Sequence, residues 1–464
     1  MNEMSYPQRH LSHQQVKLAA QILREQRVER LRRLYIPALA MICFGYPLTT
    51  VWLLKAGAET SVFNIFLNLI YASCFALSLG SSLTIRRKIP LDFIPLYAFF
   101  FFYGMRLLYD VLALGIILPG GTVFETLSYF FVLTFMPSLA IGLAFDKKDV
   151  PSLHKWMFWV LALANLSIIF YVLTDGEVVD ESLLSSRFDV AGENQGTSVL
   201  NPIVISLMGA ILCLWVIGRL AAFKRISLVD QAWHLVLFGA GFANLLLGGS
   251  RGPVIDFAIG LLFVGASMFM SMLGKGHLRI GPRVLIYMVI TGLALTYVAT
   301  SDRFDIAVFD RFNNMFEGAD QRKTEERDYI FADAWQQFVD SPIYGTSYAV
   351  MDGQTFPHNS FLEALSSIGF FGGLAYIFSF WMFLRGVWSA LFGYAWPHAY
   401  SIALAAVALM ALSMTSGSVG KAPNIWCMQA LMMCISSIGI GRRTAQQERT
   451  RSLGLQGTNV AVKL

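Results

Sequence analysis

The segment that decides the fold is RDYIFADAWQQFVDSPIYGTSYAVMDGQTFPHNSFLEALSSIGFFGG, residues 327–373. It is a long polar segment among strongly apolar ones, and it leads through His358 and Asn359 into a hydrophobic stretch. In a membrane-embedded chain, arginine and histidine side chains gathered at a water-facing helix end indicate chemistry on an anionic group. The segment therefore predicts a site for an anionic, lipid-anchored substrate.

The first part of this segment has the spacing of an amphipathic helix over residues 324–340. Starting from Ile330, apolar side chains recur at positions i, i+1, i+4, i+5 and i+8. Thr324 followed by two glutamates fits a helix start, and Ser341-Pro342 fits a stop. Such a helix lies on the membrane surface or packs over a helix bundle. Both alternatives place Arg327 in the first turn, near the outer face.

The composition identifies a polytopic membrane protein. The chain has 464 residues, of which 56% are hydrophobic and 14% charged, whereas soluble domains carry about 25% charged residues. Residues 1–33 are polar and basic, which does not fit a cleavable signal peptide. The basic segment predicts a cytoplasmic N-terminus, and a nucleic-acid partner is not expected.

Apolar stretches of about 20 residues predict twelve transmembrane helices. They cover residues 34–54, 61–82, 91–112, 124–145, 154–174, 197–217, 232–249, 253–273, 284–300, 359–383, 397–415 and 423–441. With both termini in the cytoplasm, most of the 35 Lys and Arg fall on the cytoplasmic side, as the positive-inside rule requires. The predicted fold class is therefore an all-α integral membrane protein with a large periplasmic loop.

The charge pattern divides the chain into five parts. They are a cytoplasmic N-terminal segment (1–33), transmembrane helices 1–9 (34–300), a periplasmic loop (301–358), transmembrane helices 10–12 (359–441) and a cytoplasmic tail (442–464). A second outer loop, residues 175–196, holds six acidic residues and one base, Arg187. Its acids are expected to form a solvated face.

Two features carry ordinary structural interpretations. The five cysteines all lie in apolar segments and form no CxxC pair, which predicts small buried side chains. Arg106 and Asp110 are four residues apart on one helix face, which predicts a structural ion pair near its outer end.

The first candidate motif is Ser250-Arg251-Gly252-Pro253, which follows a glycine-rich helix end. The next helix is expected to start at Pro253, since proline favours the first helical turn. A helix N-terminus and a guanidinium both favour an anion. The alternative is a tight turn with a snorkelling arginine.

Arg327 and His358 are the other two candidate residues. A guanidinium matches phosphate oxygens bidentately, although Arg327 has glutamates nearby for an ordinary ion pair. His358 is the one histidine predicted on the outer side, and an imidazole can accept a proton from an attacking hydroxyl. The alternative for His358 is a capping or structural role.

No sequence motif indicates a metal, a nucleotide or another cofactor. The chain lacks HExxH, a Walker motif, a Rossmann fingerprint and a GxSxG elbow. We therefore expect neither a metal nor a cofactor.

At these motifs the chain resembles the O-antigen ligase and O-antigen polymerase superfamily of bacterial inner-membrane proteins. The features that carry the resemblance are SRGP at 250–253, RDYIFADAWQQFVDSPIYGTSY at 327–348, HNSFLEALSSIGFFGG at 358–373 and RFDVAGENQGTSVLNPIV at 187–204. Together they cover about residues 187–390.

The resemblance implies a C-type glycosyltransferase fold in the inner membrane, with its active site facing the periplasm. The donor would be an undecaprenyl diphosphate-linked glycan, and the acceptor the lipid A-core or another glycan. In this family Arg251 and Arg327 are expected to contact the diphosphate and His358 to act near the acceptor. Ser250, Arg187 and Asn359 are predicted to bind substrate beside them.

Two alternatives to a ligase remain open at this point. An O-antigen or exopolysaccharide polymerase would use the same donor, and it would differ in the acceptor cavity. A polysaccharide transporter or flippase would instead place its polar site near the membrane midplane. Convergence of Arg251, Arg327 and His358 around one outward site would favour an enzyme.

Overall fold

The computed structural model of the protein describes most of the chain. The described residues are 13–56, 90–119, 121–175, 190–191, 198–223, 226–273, 321–350, 355–393, 397–420 and 422–436, with scattered positions at 73–85 and 286–292. The acidic loop with Arg187 lies almost entirely outside these ranges, as do the predicted spans at 61–82 and 284–300 and the first part of the large outer loop.

The regular secondary structure of the described residues is helical apart from one short hairpin and an isolated bridge between Val350 and Thr355. The helices are α1 (His13–Phe44), α2 (Tyr46–Lys55), α3 (Leu91–Ala113), α4 (Val123–Ala144), α5 (Val150–Asp175), α6 (Pro202–Ala222), α7 (Leu228–Leu247), α8 (Arg251–Met272), α9 (Gln321–Asp340), α10 (Ser360–Phe392), α11 (Pro397–Ser413) and α12 (423–436). The hairpin pairs β1 (Val190–Ala191) with β2 (Ser198–Leu200) in an antiparallel manner. The helical class predicted from the sequence is confirmed.

Six of the described helices are long and apolar enough to cross a membrane, or seven if α1 and α2 form one span. α1 and α2 meet at Gly45 with a bend of 79°, where Pro47 in the first turn of α2 lacks the amide hydrogen that would continue the α1 ladder. The predicted first span is therefore a broken helix. The count of twelve spans stays a prediction.

The start of α6 differs from the prediction. The sixth span was expected to begin at residue 197, but Ser198–Leu200 form β2 and α6 begins at Pro202. The Asn201 side chain caps the helix by accepting a hydrogen bond from the Ile203 amide at 2.9 Å. Proline just inside the helix and asparagine just before it account for this boundary.

The centre of the bundle is α6, most of which is buried. It packs against α7, α8 and α11. At the contact with α7, a Cβ on Gly209 would overlap the backbone at Gly241. Small residues at such crossings let two helix backbones approach closely in a membrane.

Buried asparagines also join α5, α6 and α7. The Asn244 amide group donates to Asn165 Oδ1 at 2.9 Å, and the Asn165 amide group donates to the Met208 carbonyl at 3.1 Å. Both asparagines are fully buried. Hydrogen bonds of this kind stabilise helix association in a membrane.

α10 is interrupted by the segment that follows α9. Gly369 has φ 63° and ψ −158° inside the helix. On either side of the break, the Phe370 amide donates to the Pro342 carbonyl at 2.7 Å, and the Thr346 amide donates to the Ser366 carbonyl at 2.6 Å. The loop thus supplies the hydrogen bonds that α10 loses at its break, which fixes α9 against the first part of α10.

The helix directions place two groups of termini at opposite ends of the bundle. The ends of α3, α7 and α11 and the starts of α8 and α10 share one end, called here the site end. The starts of α5, α7 and α11 and the end of α6 share the other end, where His154, Phe223 and His398 contact one another. This alternation agrees with the antiparallel order predicted for consecutive spans.

Candidate active site

The turn between α7 and α8 holds two of the predicted site residues. Gly249 has φ 55°, a left-handed conformation that glycine adopts without strain. Ser250 is extended and 7% exposed, and its side chain makes no capping hydrogen bond to α8. α8 begins at Arg251, two residues before the predicted start at Pro253. The half-buried Arg251 side chain therefore leaves from the first turn of α8.

His358 has an unusual backbone conformation immediately before α10. Its φ is 56°, and it is the one non-glycine residue with positive φ in the described part of the chain. Its ring lies 4.3 Å from the Phe356 ring, measured between centroids. Histidine occurs in this region more often than most residues, but the conformation still costs energy and concentrates at functional sites. The conformation agrees with the predicted functional role of His358, which stays a prediction.

Asn359 has a positional role in the structure. Its side-chain oxygen accepts hydrogen bonds from the Phe361 and Leu362 amides, both at 3.0 Å, and caps α10. Its amide group donates to the Met414 carbonyl at 3.0 Å. These bonds attach the start of α10 to the end of α11 and fix the residue next to His358. The predicted contact of Asn359 with substrate stays a prediction.

The end of α11 brings the first and third motifs together. We call residues 413–416 the α11 turn. The Ser360 hydroxyl donates to the Ser413 carbonyl at 3.1 Å, next to the bond from Asn359 to Met414. On the other side, a Cβ on Gly252 would lie 3.9 Å from the Thr415 hydroxyl. The starts of α8 and α10, which carry Arg251 and His358, therefore flank the same turn.

α9 brings Arg327 to this end of the bundle. Ile330 and Ala334 are buried against Val350 and against Leu362 in the first turn of α10. Of the two predicted arrangements, the structure favours packing over the bundle, although Trp335 on the same helix is 52% exposed.

Arg327 lies one helical turn before Ile330, and its side chain is exposed. It lies in the second turn of α9, since the helix already includes Gln321. The prediction of a start near Thr324 was wrong: the preceding residues are helical too, and they are good helix formers. The predicted stop before Ser341-Pro342 is confirmed, because α9 ends at Asp340.

Asp110 anchors the outer loop to α3. The predicted pair is confirmed: Arg106 Nη2 lies 2.8 Å from Asp110 Oδ1. The other carboxylate oxygen accepts from the Tyr348 amide at 2.9 Å and from the Ser347 hydroxyl at 3.2 Å. Asp110 is fully buried in a π-helical turn, a feature frequent at functional sites. The loop that follows α9 is thereby held at the site end.

Tyr348 adds a second attachment of this loop. Its hydroxyl donates to the Ile116 carbonyl at 3.1 Å. Burial raises the pKa of Tyr348 to about 12, so the hydroxyl stays protonated and keeps this bond at neutral pH.

Glu363 is a buried residue whose role the sequence did not indicate. It is fully buried, and its carboxylate accepts hydrogen bonds from the Tyr103 hydroxyl, from the Val419 amide at 2.9 Å and from the Ser418 hydroxyl at 3.3 Å. It therefore joins α10 to α3 and to the connection between α11 and α12. A single acid inside the apolar run FLEALSSIG was the available signal.

The arrangement is suited to an anionic substrate and a proton transfer. Arg251 and Arg327 supply guanidinium groups on two elements of the site end, and His358 supplies an imidazole on a third. Asn359, Glu363 and Asp110, named above, fix these elements to one another. Arg187 lies outside the part of the chain that the structure describes.

Helices of this length and hydropathy, with cationic and histidine side chains at one end of the bundle, define a multi-pass membrane protein with a candidate site for an anionic substrate. Residues 234–377 match the family model described as O-antigen ligase. This segment is therefore similar to the O-antigen ligase family, and the resemblance found in the sequence is confirmed there. A comparison with curated proteins gives no match to the chain.

The match to the O-antigen ligase family supports a glycosyltransferase type of activity, with a lipid-linked glycan and an acceptor as partners in general. The matched segment contains Arg251, Arg327 and His358. It therefore covers all three residues predicted to carry the chemistry.

Proposed function

We propose that this protein transfers a glycan from an undecaprenyl diphosphate carrier to an acceptor, the lipid A-core or a similar glycan, at the periplasmic face of the bacterial inner membrane. The observation that carries the proposal is the convergence of the elements bearing Arg251, Arg327 and His358 at one end of the bundle. All three residues lie in the segment that matches the O-antigen ligase family.

In this proposal Arg251 and Arg327 bind the diphosphate of the donor. As the bond between the anomeric carbon and the phosphate oxygen breaks, negative charge develops on that oxygen. Guanidinium groups fixed at a partly desolvated site stabilise such charge without reorganisation. In many other reactions with a phosphate leaving group, a metal ion stabilises this charge; here the two guanidinium groups would do so.

His358 is assigned to the acceptor. The acceptor hydroxyl oxygen forms a bond to the anomeric carbon, the diphosphate leaves with the bonding electron pair, and the hydroxyl proton passes to the imidazole. A single displacement of this kind inverts the anomeric configuration. His358 has a positive φ, it precedes the Asn359 cap, and its ring contacts Phe356. Together these features support a preorganised imidazole.

The diphosphate role is tested by replacing each arginine with glutamine. In proteoliposomes supplied with lipid-linked glycan, Arg251→Gln and Arg327→Gln are expected to lower the transfer rate by roughly 10²–10³. Arg385→Gln is the matched control, since it removes an exposed positive charge near the opposite end of α10. Full activity of both site variants would refute the diphosphate assignment.

The ligase assignment is tested in a deletion strain, by separating lipid A-linked glycan from carrier-linked glycan on gels. A ligase predicts long chains that stay on the carrier and never reach lipid A. Single repeats on the core would indicate a polymerase instead, and loss of a different secreted polymer would indicate an exopolysaccharide system. Unchanged glycans would overturn the proposal of glycan transfer.

A further inference from the structure

A second group of buried polar side chains lies at the end of the bundle opposite the site end. His154 in α5 and His398 in α11 lie 5.1 Å apart, measured between ring centroids, and both contact Phe223 at the end of α6. The His154 ring also stacks on Trp215, with centroids 5.3 Å apart. Three helices thus converge on one polar cluster.

Arg219 brings a positive charge to this cluster. Its guanidinium carbon lies 4.4 Å from the centre of the Phe158 ring and 5.9 Å from that of Phe223. The His234 ring also stacks on Phe158, with centroids 5.6 Å apart. Aromatic faces hold the guanidinium here by cation–π attraction, which leaves its N–H groups for an acceptor.

The cluster contains several buried nitrogens that lack hydrogen-bond partners, and two of them, on Trp215 and Arg219, can only donate. Among the described residues, buried nitrogens of five side chains in this cluster have no hydrogen-bond partner: His154 Nε2, Trp215 Nε1, Arg219 Nε, His234 Nε2 and His398 Nδ1. His154 is 3% exposed and Trp215 is fully buried. Tryptophan and arginine nitrogens can only donate, and a buried donor without an acceptor is costly. An oxygen-rich ligand would satisfy them.

The charges around the cluster favour an anion over a metal ion. Asp230 is an acidic side chain that interacts with Arg219 and with His234, but its carboxylate also accepts from the Ser227 hydroxyl at 2.8 Å. His234 donates through Nδ1 to the Asp230 carbonyl. Within the described residues, no group of three or more His, Cys, Asp or Glu is arranged to hold a metal ion.

The cluster lies at the level of a membrane interface. Trp159 of α5 and Trp233 of α7 are 40% and 38% exposed, and their rings lie 6.5 Å apart at this end of the bundle. Exposed tryptophans mark the depth of lipid headgroups. Arg219 and His398 are half-buried at the rim of the cluster. A phosphate at headgroup depth is therefore the oxygen-rich anion within reach.

We propose that His154, Arg219 and His398 form a binding site for the phosphate of an anionic phospholipid headgroup. Basic pockets between transmembrane helices bind anionic headgroups in this way. The site is separate from the candidate active site and does not depend on the proposed glycan transfer. Binding would join α5, α6 and α11 at the end of the bundle opposite the α11 turn.

The test uses the full chain purified in a neutral detergent, titrated with phosphatidylglycerol, phosphatidylcholine or inorganic phosphate, and followed by native mass spectrometry and thermal midpoint. We expect phosphatidylglycerol to bind and to raise the midpoint, and the other two to have little effect. Arg219→Gln and His398→Leu should each weaken phosphatidylglycerol binding by about tenfold or more, because the first removes the positive charge and the second removes the ring nitrogens.

Arg385→Gln provides the matched control, since it removes one exposed positive charge near the same end of the bundle. If Arg385→Gln weakens binding as much as Arg219→Gln, the lipid responds to overall charge and the proposal is overturned. Equal stabilisation by inorganic phosphate would overturn the lipid assignment. Should Arg219→Gln fail to fold, His398→Leu at the rim of the cluster decides, and unchanged binding by that variant would refute the site.

Discussion

At the scale of single residues, His358 combines a strained backbone with a proposed chemical role, and one substitution separates the two. Asparagine tolerates positive φ nearly as well as histidine, so His358→Asn keeps the backbone but removes the imidazole. We expect the glycan transfer rate to fall by roughly 10²–10⁴, the usual contribution of a general base. The thermal midpoint should stay close to that of the wild-type protein.

The opposite outcome has a definite meaning. If His358→Asn transfers glycan at the wild-type rate, the histidine is present only for its backbone conformation, and the acceptor role is lost. A large fall in thermal midpoint would instead show that the Phe356 contact matters for stability.

Glu363 carries a second prediction at this scale. Glutamine has the same shape but offers one acceptor oxygen in place of two, so Glu363→Gln leaves one of the donors Tyr103, Ser418 or Val419 without a partner. We expect a loss of about 1–3 kcal/mol in the free energy of unfolding, the usual cost of leaving one buried donor without a partner. Thermal unfolding in detergent measures it.

The control for Glu363→Gln is Glu125→Gln. Glu125 is an exposed acid in the first turn of α4, so its replacement should cost no more than about 0.3–1 kcal/mol through the helix dipole. Equal effects of the two substitutions would mean that Glu363 does not hold the connection between α11 and α12 in place.

At the scale of helices, the break in α10 predicts a strict requirement for glycine at position 369. A Cβ there would overlap the Ile343 carbonyl, and the backbone has positive φ. Gly369→Ala is therefore expected to cost at least ~1–3 kcal/mol from the backbone conformation alone, and more from the overlap. The same variant should lose activity, since it displaces the loop that joins α9 to α10.

Gly239→Ala is the matched control in α7, because nothing lies within 4 Å of a Cβ at that position. An alanine there should be neutral or stabilising by up to about 1 kcal/mol, from helix propensity. Thermal midpoints of the two variants, measured side by side, decide the matter. A Gly369→Ala protein as stable as Gly239→Ala would contradict the described break.

Helix boundaries show what a single sequence can predict at this scale. The stop of α9 was predictable because Ser341-Pro342 cannot continue a helix. The start of α6 also had a local signal, Asn201-Pro202, which a criterion of span length alone passes over. The pairing of β1 with β2 before it is not visible in periodicity. The break at Gly369 has a local signal, a glycine in an apolar run, but its cause is the loop that contacts it.

At the scale of the whole molecule, the sequence predicted which motifs form the site but not what fixes them. Arg251 and His358 could be placed at one end of the bundle from charge and span order. The bond from Tyr348 to Asp110 joins residues 238 apart, and that from Tyr103 to Glu363 joins residues 260 apart. A buried acid in a helix indicates that a partner exists, but only the fold identifies it.

The last prediction concerns the orientation of the whole bundle in the membrane. The Asp110 anchor and the short connection from α3 place the exposed residue Glu125, at the start of α4, at the site end. Leu228 is 82% exposed at the start of α7, at the opposite end. In cells with a permeabilised outer membrane, an impermeant maleimide should label Glu125→Cys and should leave Leu228→Cys unmodified until the inner membrane is opened.

The unsubstituted protein is the background control, since the four cysteines among the described residues are buried. The physical reason for the expected orientation is the excess of Lys and Arg in the segments that the charge pattern assigns to the cytoplasm. Labelling in the reverse pattern would place Arg251, Arg327 and His358 in the cytoplasm. Periplasmic glycan transfer would then be impossible at this site, whatever the effect of the single substitutions.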